Sequence, residues 1–373
     1  MNLLQLGKFH PIRGGVEKVM LNLTEGLNER GHHCDMLCAA EGGKPYTVEL
    51  DHGGRIFAVR SLAKIKATMI SPAMILRLRK ITRNYDIIHV HHPDPMAALA
   101  LRLSGFRGPV ILHWHADILR QRKLLRLVGP MLRWLVQRAD CIVTTSPVYI
   151  SSPWLTQARE KCVCVPIGID EMPEPSAKLQ ELKQRFPDKK IIFAIGRLVS
   201  YKGFEFLIKS FVYLPENYVC IIGGTGPLKE QLSRLIDDNG LSDRVMLAGY
   251  IDDRDLSAYF CASSVFCLSS VERTEAFGVV QLEAMACATP IVATQIEGSG
   301  VPWVNADGVS GLNVPPRRPD LLADAILKIT ADPATRATYS QQARERFNSL
   351  FTKKLMIDHI IETYIKHISQ TGL

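Results

Sequence analysis

Two glutamates and two cations carry most of the chemistry open to this chain. Glu275 and Glu283 bracket seven residues within Ser270-Val271-Glu272-Arg273-Thr274-Glu275-Ala276-Phe277-Gly278-Val279-Val280-Gln281-Leu282-Glu283-Ala284. A helix starting near Gly278 would put Glu275 just before its first turn and Glu283 about two turns in. The backbone N–H groups of 277–280, including Phe277, Gly278, Val279 and Val280, would then lack helical acceptors and could hold a phosphate or a sugar hydroxyl. Both carboxylates could accept hydrogen bonds from hydroxyls. The plain alternatives are a helix N-terminal charge for Glu275 and an exposed helix position for Glu283. Leu282, Ala284, Met285 and Ala286 beside Glu283 argue against full exposure, and a buried acid needs a partner. Arg197 and Lys202 sit in Ile195-Gly196-Arg197-Leu198-Val199-Ser200-Tyr201-Lys202-Gly203, after a strand pattern and before a helical one. Their spacing suits a diphosphate clamp, arginine bidentate and lysine as a point charge, although cations also decorate ordinary solvated loops.

Glycine-rich turns accompany them. Gly14 and Gly15, in the loop Lys8–Glu17, would let a phosphate approach free N–H groups at a helix start. No Gly-Lys-Ser/Thr follows, so this is not a nucleotide P-loop. Gly224 and Gly226 lie in Gly223-Gly224-Thr225-Gly226-Pro227, which lacks G-x-G-x-x-G and disfavours hydride transfer. His89, His91 and His92 end one strand pattern, and His113 and His115 another. Alternation puts His89 with His91, and His113 with His115, on common faces, which raises the question of zinc. No Cys or Glu nearby completes a tetrahedral set, so polar strand ends are the expectation and no metal is assigned. Asp253-Arg254-Asp255 fits a D-x-D metal pattern but precedes a helical stretch, where capping is expected.

The elements that must position these residues alternate. Strand patterns fit 1–6, 34–39, 86–91, 109–114 and 140–144, with helical patterns around 72–83, 95–104 and 119–138 between them. The rhythm stops at Glu171-Met172-Pro173-Glu174-Pro175-Ser176, a linker composition, and restarts. Strands then fit 190–195, 218–222, 244–248, 264–268 and 290–294, and helices 203–214, 227–238, 279–287 and 320–330. The order implies two doubly wound α/β domains facing a crevice, 1–170 and 171–352, with a terminal helix at 353–373 packing back on the first.

The 373 residues are 47% hydrophobic and 22% charged, enough to bury two cores. The net charge of +8 is unevenly spread: residues 1–170 hold 23 basic and 13 acidic residues, while 171–373 hold 22 and 24. The excess concentrates in 60–138, with 15 basic and 3 acidic. A basic, Leu-rich stretch at 119–138 carries Arg120, Arg122, Lys123, Arg126, Arg133 and Arg138; Gly129-Pro130 would kink or break it. It reads as an ordinary helix or as a surface for anionic lipid. Aromatic residues are only 7% and no nucleic-acid motif appears, so nucleic acid is not the expected partner. No run is long and apolar enough for a spanning helix, the start is too polar for a signal peptide, and nine cysteines without a Cys-x-x-Cys pair read as thiols of a reducing cytosol.

Taken together, these motifs resemble those of glycosyltransferase family 4, retaining enzymes of the GT-B fold. Glu275 and Glu283 match its E-x7-E signature, and Gly14-Gly15, Gly196-Arg197…Lys202-Gly203, Gly223-Gly224-Thr225-Gly226 and Asp307-Gly308-Val309-Ser310-Gly311-Leu312 follow in the expected order. His113-Trp114-His115-Ala116-Asp117-Ile118 and Gly300-Val301-Pro302-Trp303-Val304-Asn305 are similar to the bacterial branch of mannosyl- and rhamnosyltransferases that build O antigen. The resemblance implies that Gly15 admits the donor β-phosphate and that Arg197 and Lys202, beside Gly196, neutralise the leaving diphosphate. It implies that Glu275 binds sugar hydroxyls, Phe277, Gly278 and Val279 supply backbone donors, Glu283 binds the ribose, and His115 contacts the sugar near its reacting centre. The base pocket would lie near Gly249-Tyr250-Ile251. One departure is Ala288, where the family usually has glycine. The implied activity is a GDP-mannose-dependent α-mannosyltransferase. It would act on a polyprenyl-diphosphate-linked saccharide at the inner face of the cytoplasmic membrane, without a metal cofactor. A UDP-sugar donor, or a nucleotide-sugar epimerase of the same fold, are the alternatives.

Overall fold

The computed structural model describes residues 1–65, 68–118 and 122–371, without the side chains of 122–127 and 369–371. Arg120 and the side chains of Arg122, Lys123 and Arg126 therefore lie outside the described residues. The chain divides into two compact units, Met1–Gly168 with Lys353–Leu373, and Ile169–Thr352.

The first unit contains β1 (Asn2–His10), β2 (His33–Ala40), β3 (Tyr46–Glu49), β4 (Arg55–Val59), β5 (Ala63–Ile65), β6 (Thr68–Ile70), β7 (Ile87–His92), β8 (Val110–Trp114), β9 (Cys141–Thr144) and β10 (Cys162–Cys164). Eight of them form one sheet in the order β10-β9-β8-β7-β1-β2-β4-β3, and β5 and β6 form a separate hairpin. Every pairing in the large sheet is parallel except β3 with β4. All six residues of β7 are buried, as expected for a strand covered on both faces. The strand order reverses between β1 and β7. The helix Lys353–Thr371 packs on the helix Gly15–Glu29: a Cβ on Gly26 would lie 2.7 Å from Cδ1 of Ile357, so the Ile357 side chain seats directly on the glycine.

β1 runs four residues beyond the expected end at Leu6. A bulge at Gly7–Lys8 shifts the register between Leu6 and Phe9, with Lys8 at φ 59°. The Asp94 carboxylate accepts the Lys8 N–H at 2.5 Å and the Lys8 ammonium donates to the Pro93 carbonyl at 2.6 Å. Lys8, Phe9 and His10 thus belong to a strand, and the loop before the first helix is only Pro11–Gly14.

The second unit contains β11 (Lys190–Ile195), β12 (Tyr218–Gly223), β13 (Val245–Gly249), β14 (Val265–Leu268), β15 (Ile291–Thr294) and β16 (Gly311–Val314). They form one sheet in the order β13-β12-β11-β14-β15-β16, parallel throughout, over a core that includes Ile192, Phe204, Leu207, Phe211, Ile222 and Ile326. Here the order reverses between β11 and β14, and in open sheets of this class ligands bind outside the strand ends at such a reversal.

Candidate active site

The reversal in the second unit explains why residues 73 positions apart meet. The loop leaving β11 carries Arg197 and Lys202; the loop leaving β14 carries Glu275. The Lys202 ammonium lies 2.5 Å from Oε2 of Glu275, and the Ser270 hydroxyl donates to the same oxygen at 2.9 Å. Both side chains are only 12% exposed. Backbone contacts lace the two loops: Ser269 Oγ donates to the Lys202 carbonyl at 3.0 Å and Val271 N–H to the Tyr201 carbonyl at 2.8 Å. Ser299 Oγ donates to the Glu275 carbonyl at 2.6 Å. Arg197, on the same loop, is exposed and has no ion-pair partner among the described residues. The structure thus joins one predicted cation to the predicted acid and leaves the other standing free.

Glycines are needed here for close approach. Gly203 follows the short turn Ser200–Lys202 at φ 63°, and a Cβ on it would lie 2.3 Å from the Ser269 carbonyl oxygen. A Cβ on Gly224 would lie 2.0 Å from the Gly196 carbonyl oxygen, and one on Gly226 2.5 Å from that of Leu198. The Lys202 stem passes over Gly196, its Cε 3.1 Å from where a Cβ would stand. Substituting any of these would push apart the loops that hold Lys202. Ile251 is buried against Gly223, while Tyr250 is 75% exposed.

The helix after Glu275 spans only Val280–Ala286, two residues later than expected, so Glu283 lies in its first turn rather than two turns in. Gly278 stands at φ 72° just before it, and the Phe277 side chain is buried against Trp303 and Phe351. Among the described residues, the N–H groups of Phe277, Gly278, Val279 and Val280 donate to no other group. Glu283 is half-buried and its carboxylate has no hydrogen-bond partner among the described residues. Burial pushes that carboxyl up to about 7, with the nearby Asp253 carboxylate adding to the rise. Asp253 and Asp255 do not cap their helix. Asp252 does, accepting the Arg254 N–H at 3.0 Å, and the Asp255 carboxylate receives the Ser176 hydroxyl at 2.7 Å.

In the first unit, Gly14 is the extended N-cap of the helix Gly15–Glu29, and Gly15 its first residue. The buried Glu17 turns its carboxylate back onto Gly14, 2.7 Å from where a Cβ would stand. The five histidines are all buried on β7, β8 and the residue after β8. Gln5 orders part of this layer. Its Nε2 donates to the Tyr364 hydroxyl at 3.2 Å and its Oε1 lies 2.7 Å from Nε2 of His91. That nitrogen therefore carries the proton, and Nδ1 of His91 accepts from Nε2–H of His115 at 2.9 Å. Tyr364 in turn lies 2.6 Å from Nδ1 of His89. The Nδ1 of His115 is left with a bare lone pair and no partner among the described residues. Burial drives all five imidazoles toward the neutral form, with His92 and His113 pushed down to about 3. His89, His91 and His113 each bring a ring nitrogen within 4.8 Å of the others, but both nitrogens of His91 are engaged by Gln5 and His115. Sequence reasoning had no means of finding Gln5 and Tyr364, which lie 359 positions apart.

Comparison with known proteins agrees with this geometry. Residues 13–171 match the family model "Glycosyltransferase Family 4" and residues 177–346 match "Glycosyl transferases group 1". The chain is 31% identical over 360 residues to O-antigen chain mannosyltransferase C of Escherichia coli, covering 94% of each protein. It is 29% identical over 343 residues to the D-rhamnosyltransferase WbpZ of Pseudomonas aeruginosa, covering 91% of this chain and 88% of that one. Among solved structures, sucrose-phosphate synthase from Thermosynechococcus elongatus superposes with a TM-score of 0.80 at 23% identity, over 99% of this chain and 100% of that one. The chain belongs to glycosyltransferase family 4 and has the GT-B fold. It is a glycosyltransferase of the hexosyl-transferring kind, related to O-antigen mannosyl- and rhamnosyltransferases.

Proposed function

We propose that the protein is a retaining α-mannosyltransferase that uses GDP-mannose and extends a polyprenyl-diphosphate-linked saccharide during O-antigen synthesis. The observation that carries the reading is the convergence of Lys202 and Glu275 at the strand-order reversal of the second unit. The similarity to an O-antigen mannosyltransferase over nearly the whole chain supports the sugar and the acceptor class. In this reading a sugar hydroxyl competes for the Glu275 carboxylate and the leaving diphosphate draws Lys202 away from it, with Arg197 as the second cation. The acceptor hydroxyl oxygen bonds to the anomeric carbon on the face from which the diphosphate departs, and its proton passes to a diphosphate oxygen. The chain's work is to position and to stabilise the developing charge. Glu283 accepts from the ribose hydroxyls, the N–H groups of 277–279 face the phosphates, Tyr250 and Ile251 border the base, and Gly15 admits the β-phosphate. His115 offers its bare Nδ1 to a sugar hydroxyl. The 1–170 region with the terminal helix takes the acceptor, and the site works at an anionic membrane face. Charge neutralisation by Lys202 and Arg197 leaves no step that needs a metal.

The test is a panel of GDP- and UDP-sugars offered with a lipid-diphosphate-linked GlcNAc acceptor, with and without EDTA. GDP-mannose should be transferred with retention, and EDTA should leave the rate unchanged. Transfer from UDP-sugars alone, or conversion of donor without acceptor, would overturn the reading.

A further inference from the structure

We propose that Leu62 and Ile65, at the strand β5, and the outer face of the helix Pro72–Ile81 form the surface by which this chain docks on an anionic lipid bilayer. The inference rests on the lipid-linked acceptor proposed above for its biological sense, although vesicle binding is measurable without any transfer.

Residues 52–85 contain eight lysines and arginines and no aspartate or glutamate. The same stretch exposes large aliphatic side chains: Leu62 at 65%, Ile65 at 58% and Leu76 at 62%. Single exposed aliphatics are ordinary, but three within fifteen residues, in a stretch whose own charges are all positive, are not explained by folding. The hairpin is built to face outward. Cross-strand partners share a face, so Lys64 with Met69 lies on one side, and Ile65 with Thr68 on the other. Met69 is buried, and the Lys64 ammonium reaches Glu41 at 2.9 Å and lies 4.5 Å from the Phe9 ring. That face is anchored to the unit, and Ile65 is left pointing away. A bond from Leu62 N–H to the Ile70 carbonyl closes the hairpin, and Ser71 Oγ donates to the Arg60 carbonyl at 2.6 Å at the start of the next helix.

On that helix Met74, Leu78 and Ile81 are buried, whereas Leu76, Arg79 and Lys80 are exposed, and the exposed stripe continues to Arg83. Arg79, Lys80 and Arg83 have no ion-pair partner among the described residues. An exposed aliphatic residue with cations three, four and seven positions on sets apolar and cationic side chains on one outward stripe, which an anionic bilayer surface can meet together. A nucleic acid would call for cations beside aromatic stacking surfaces, and the exposed side chains here are aliphatic. An acidic protein partner would use the cations but would gain little from Ile65 at a hairpin end. Among the described residues, no helix is long and apolar enough to cross a membrane, so the contact is one of lying on the bilayer.

The experiment is sedimentation of the full chain with vesicles of phosphatidylglycerol and phosphatidylcholine, against phosphatidylcholine alone. The wild-type chain should sediment with the first and not the second, and less so as salt is raised. The triple variant Arg79→Glu, Lys80→Glu, Arg83→Glu should lower the partition by roughly 100-fold or more. The double variant Leu62→Asp, Ile65→Asp, with the cations intact, should lower it by about 10-fold or more. Leu76→Asp, on the other element, should act in the same direction. Every exposed variant should keep its melting temperature and its transfer to a soluble, lipid-free acceptor. Wild-type binding by either multiple variant, or no wild-type binding to the anionic vesicles, overturns the proposal. Loss of transfer to the soluble acceptor by the wild-type chain would instead count against the proposed reaction.

Discussion

The ends of β11 and β14 in one unit can be set beside the ends of β1 and β7 in the other. Each pair marks the point where its sheet reverses strand order. In the second unit the reversal is furnished with charge: Lys202 donates to Glu275 at 2.5 Å, and Arg197 has no ion-pair partner among the described residues. In the first the ionic groups are already spent on the fold. Asp94 takes the N–H groups of Lys8, Met96 and Ala97, and Lys8 gives its ammonium to a carbonyl. Beside it lies a layer of neutral imidazoles. The same topology therefore furnishes a cation in one unit and, in the other, groups that accept or donate without charge. A charged leaving group belongs to the first kind of surface, and a neutral hydroxyl is well served by the second.

The sharpest way to break this contrast is to remove its charged member. Lys202→Ala or Glu275→Ala should lower kcat by about 100-fold or more, the scale for losing one preorganised donor. Each also leaves a nearly buried charge without its partner. The double variant should cost little more than either single one, since the pair acts as a unit. Steady-state rates near wild type in both single variants would remove the charged side of the comparison.

The next effect concerns Glu283. Its carboxyl titrates near 7 in the folded chain against an ordinary 4.5. The folded state thus keeps a proton that the unfolded state gives up, so this contribution is whole below about pH 4.5 and is lost as pH rises through about 7. Glu283→Gln should abolish that slope and stabilise the chain by about 3 kcal/mol at about pH 8, with no difference near about pH 4. The same variant should raise the donor KM by about 10-fold while changing kcat less, since an uncharged amide is a poorer acceptor for ribose hydroxyls. Urea melts across pH check the first half, and donor titrations the second. Equal stability at both pH values would mean that the carboxyl is not held neutral.

These two predictions start from residues that the sequence exposes, and the contrast in legibility is itself physical. Lys202, Glu275 and the glycines around them sit in loops after strands, where local residue types are read against a known periodicity. The helix Pro333–Leu350 was not legible at all. It buries only Ala343 and Phe347 and is fixed by arginines donating to distant carbonyls: Arg336 to Ser263 and Ser264, Arg344 to Ala286, Arg346 to Trp303 and Val304. No hydrophobic stripe records such bonds. β3, β4, β5 and β6 are not legible because strands of three to five residues carry too little alternation to register. The extension of β1 is not legible because Asp94, 86 positions away, holds the Lys8 bulge. For the imidazole layer the sequence shows which residues share a face, but Gln5 and Tyr364, which fix the protons, come from opposite ends of the chain.

That layer gives the third test. Tyr364→Phe removes the partner of both Nδ1 of His89 and Nε2 of Gln5. Buried polar groups left unmatched cost about 1–3 kcal/mol, so the variant should lose about that much stability. With Gln5 freed to turn, His115 no longer has a fixed tautomer. Transfer should fall modestly through kcat, with the donor KM nearly unchanged. A variant as stable as wild type would mean that the bonds to Tyr364 do not order the layer.

The smallest effect separates stability from chemistry within the charged unit. Ala288 follows the C-cap residue Cys287 at φ 52°, a left-handed conformation that an L side chain adopts at a cost of about 1 kcal/mol. The backbone there is a helix stop of the Schellman type: Ala288 N–H donates to the Met285 carbonyl and Thr289 N–H to that of Ala284, each at 2.9 Å. Glycine suits this position and alanine only tolerates it, because the two hydrogen bonds hold the turn. Ala288→Gly should relieve the strain, less the extra freedom that glycine gives the unfolded chain, for a net gain of about 0.5 kcal/mol at most. The denaturation midpoint should rise with an unchanged slope. Kinetics should not move, since the turn lies beyond Glu283 and carries no side chain into the site. A change in rate without a change in midpoint would show that the end of this helix adjusts Glu283, and the line drawn between the scaffold and the charged loops would have to be moved.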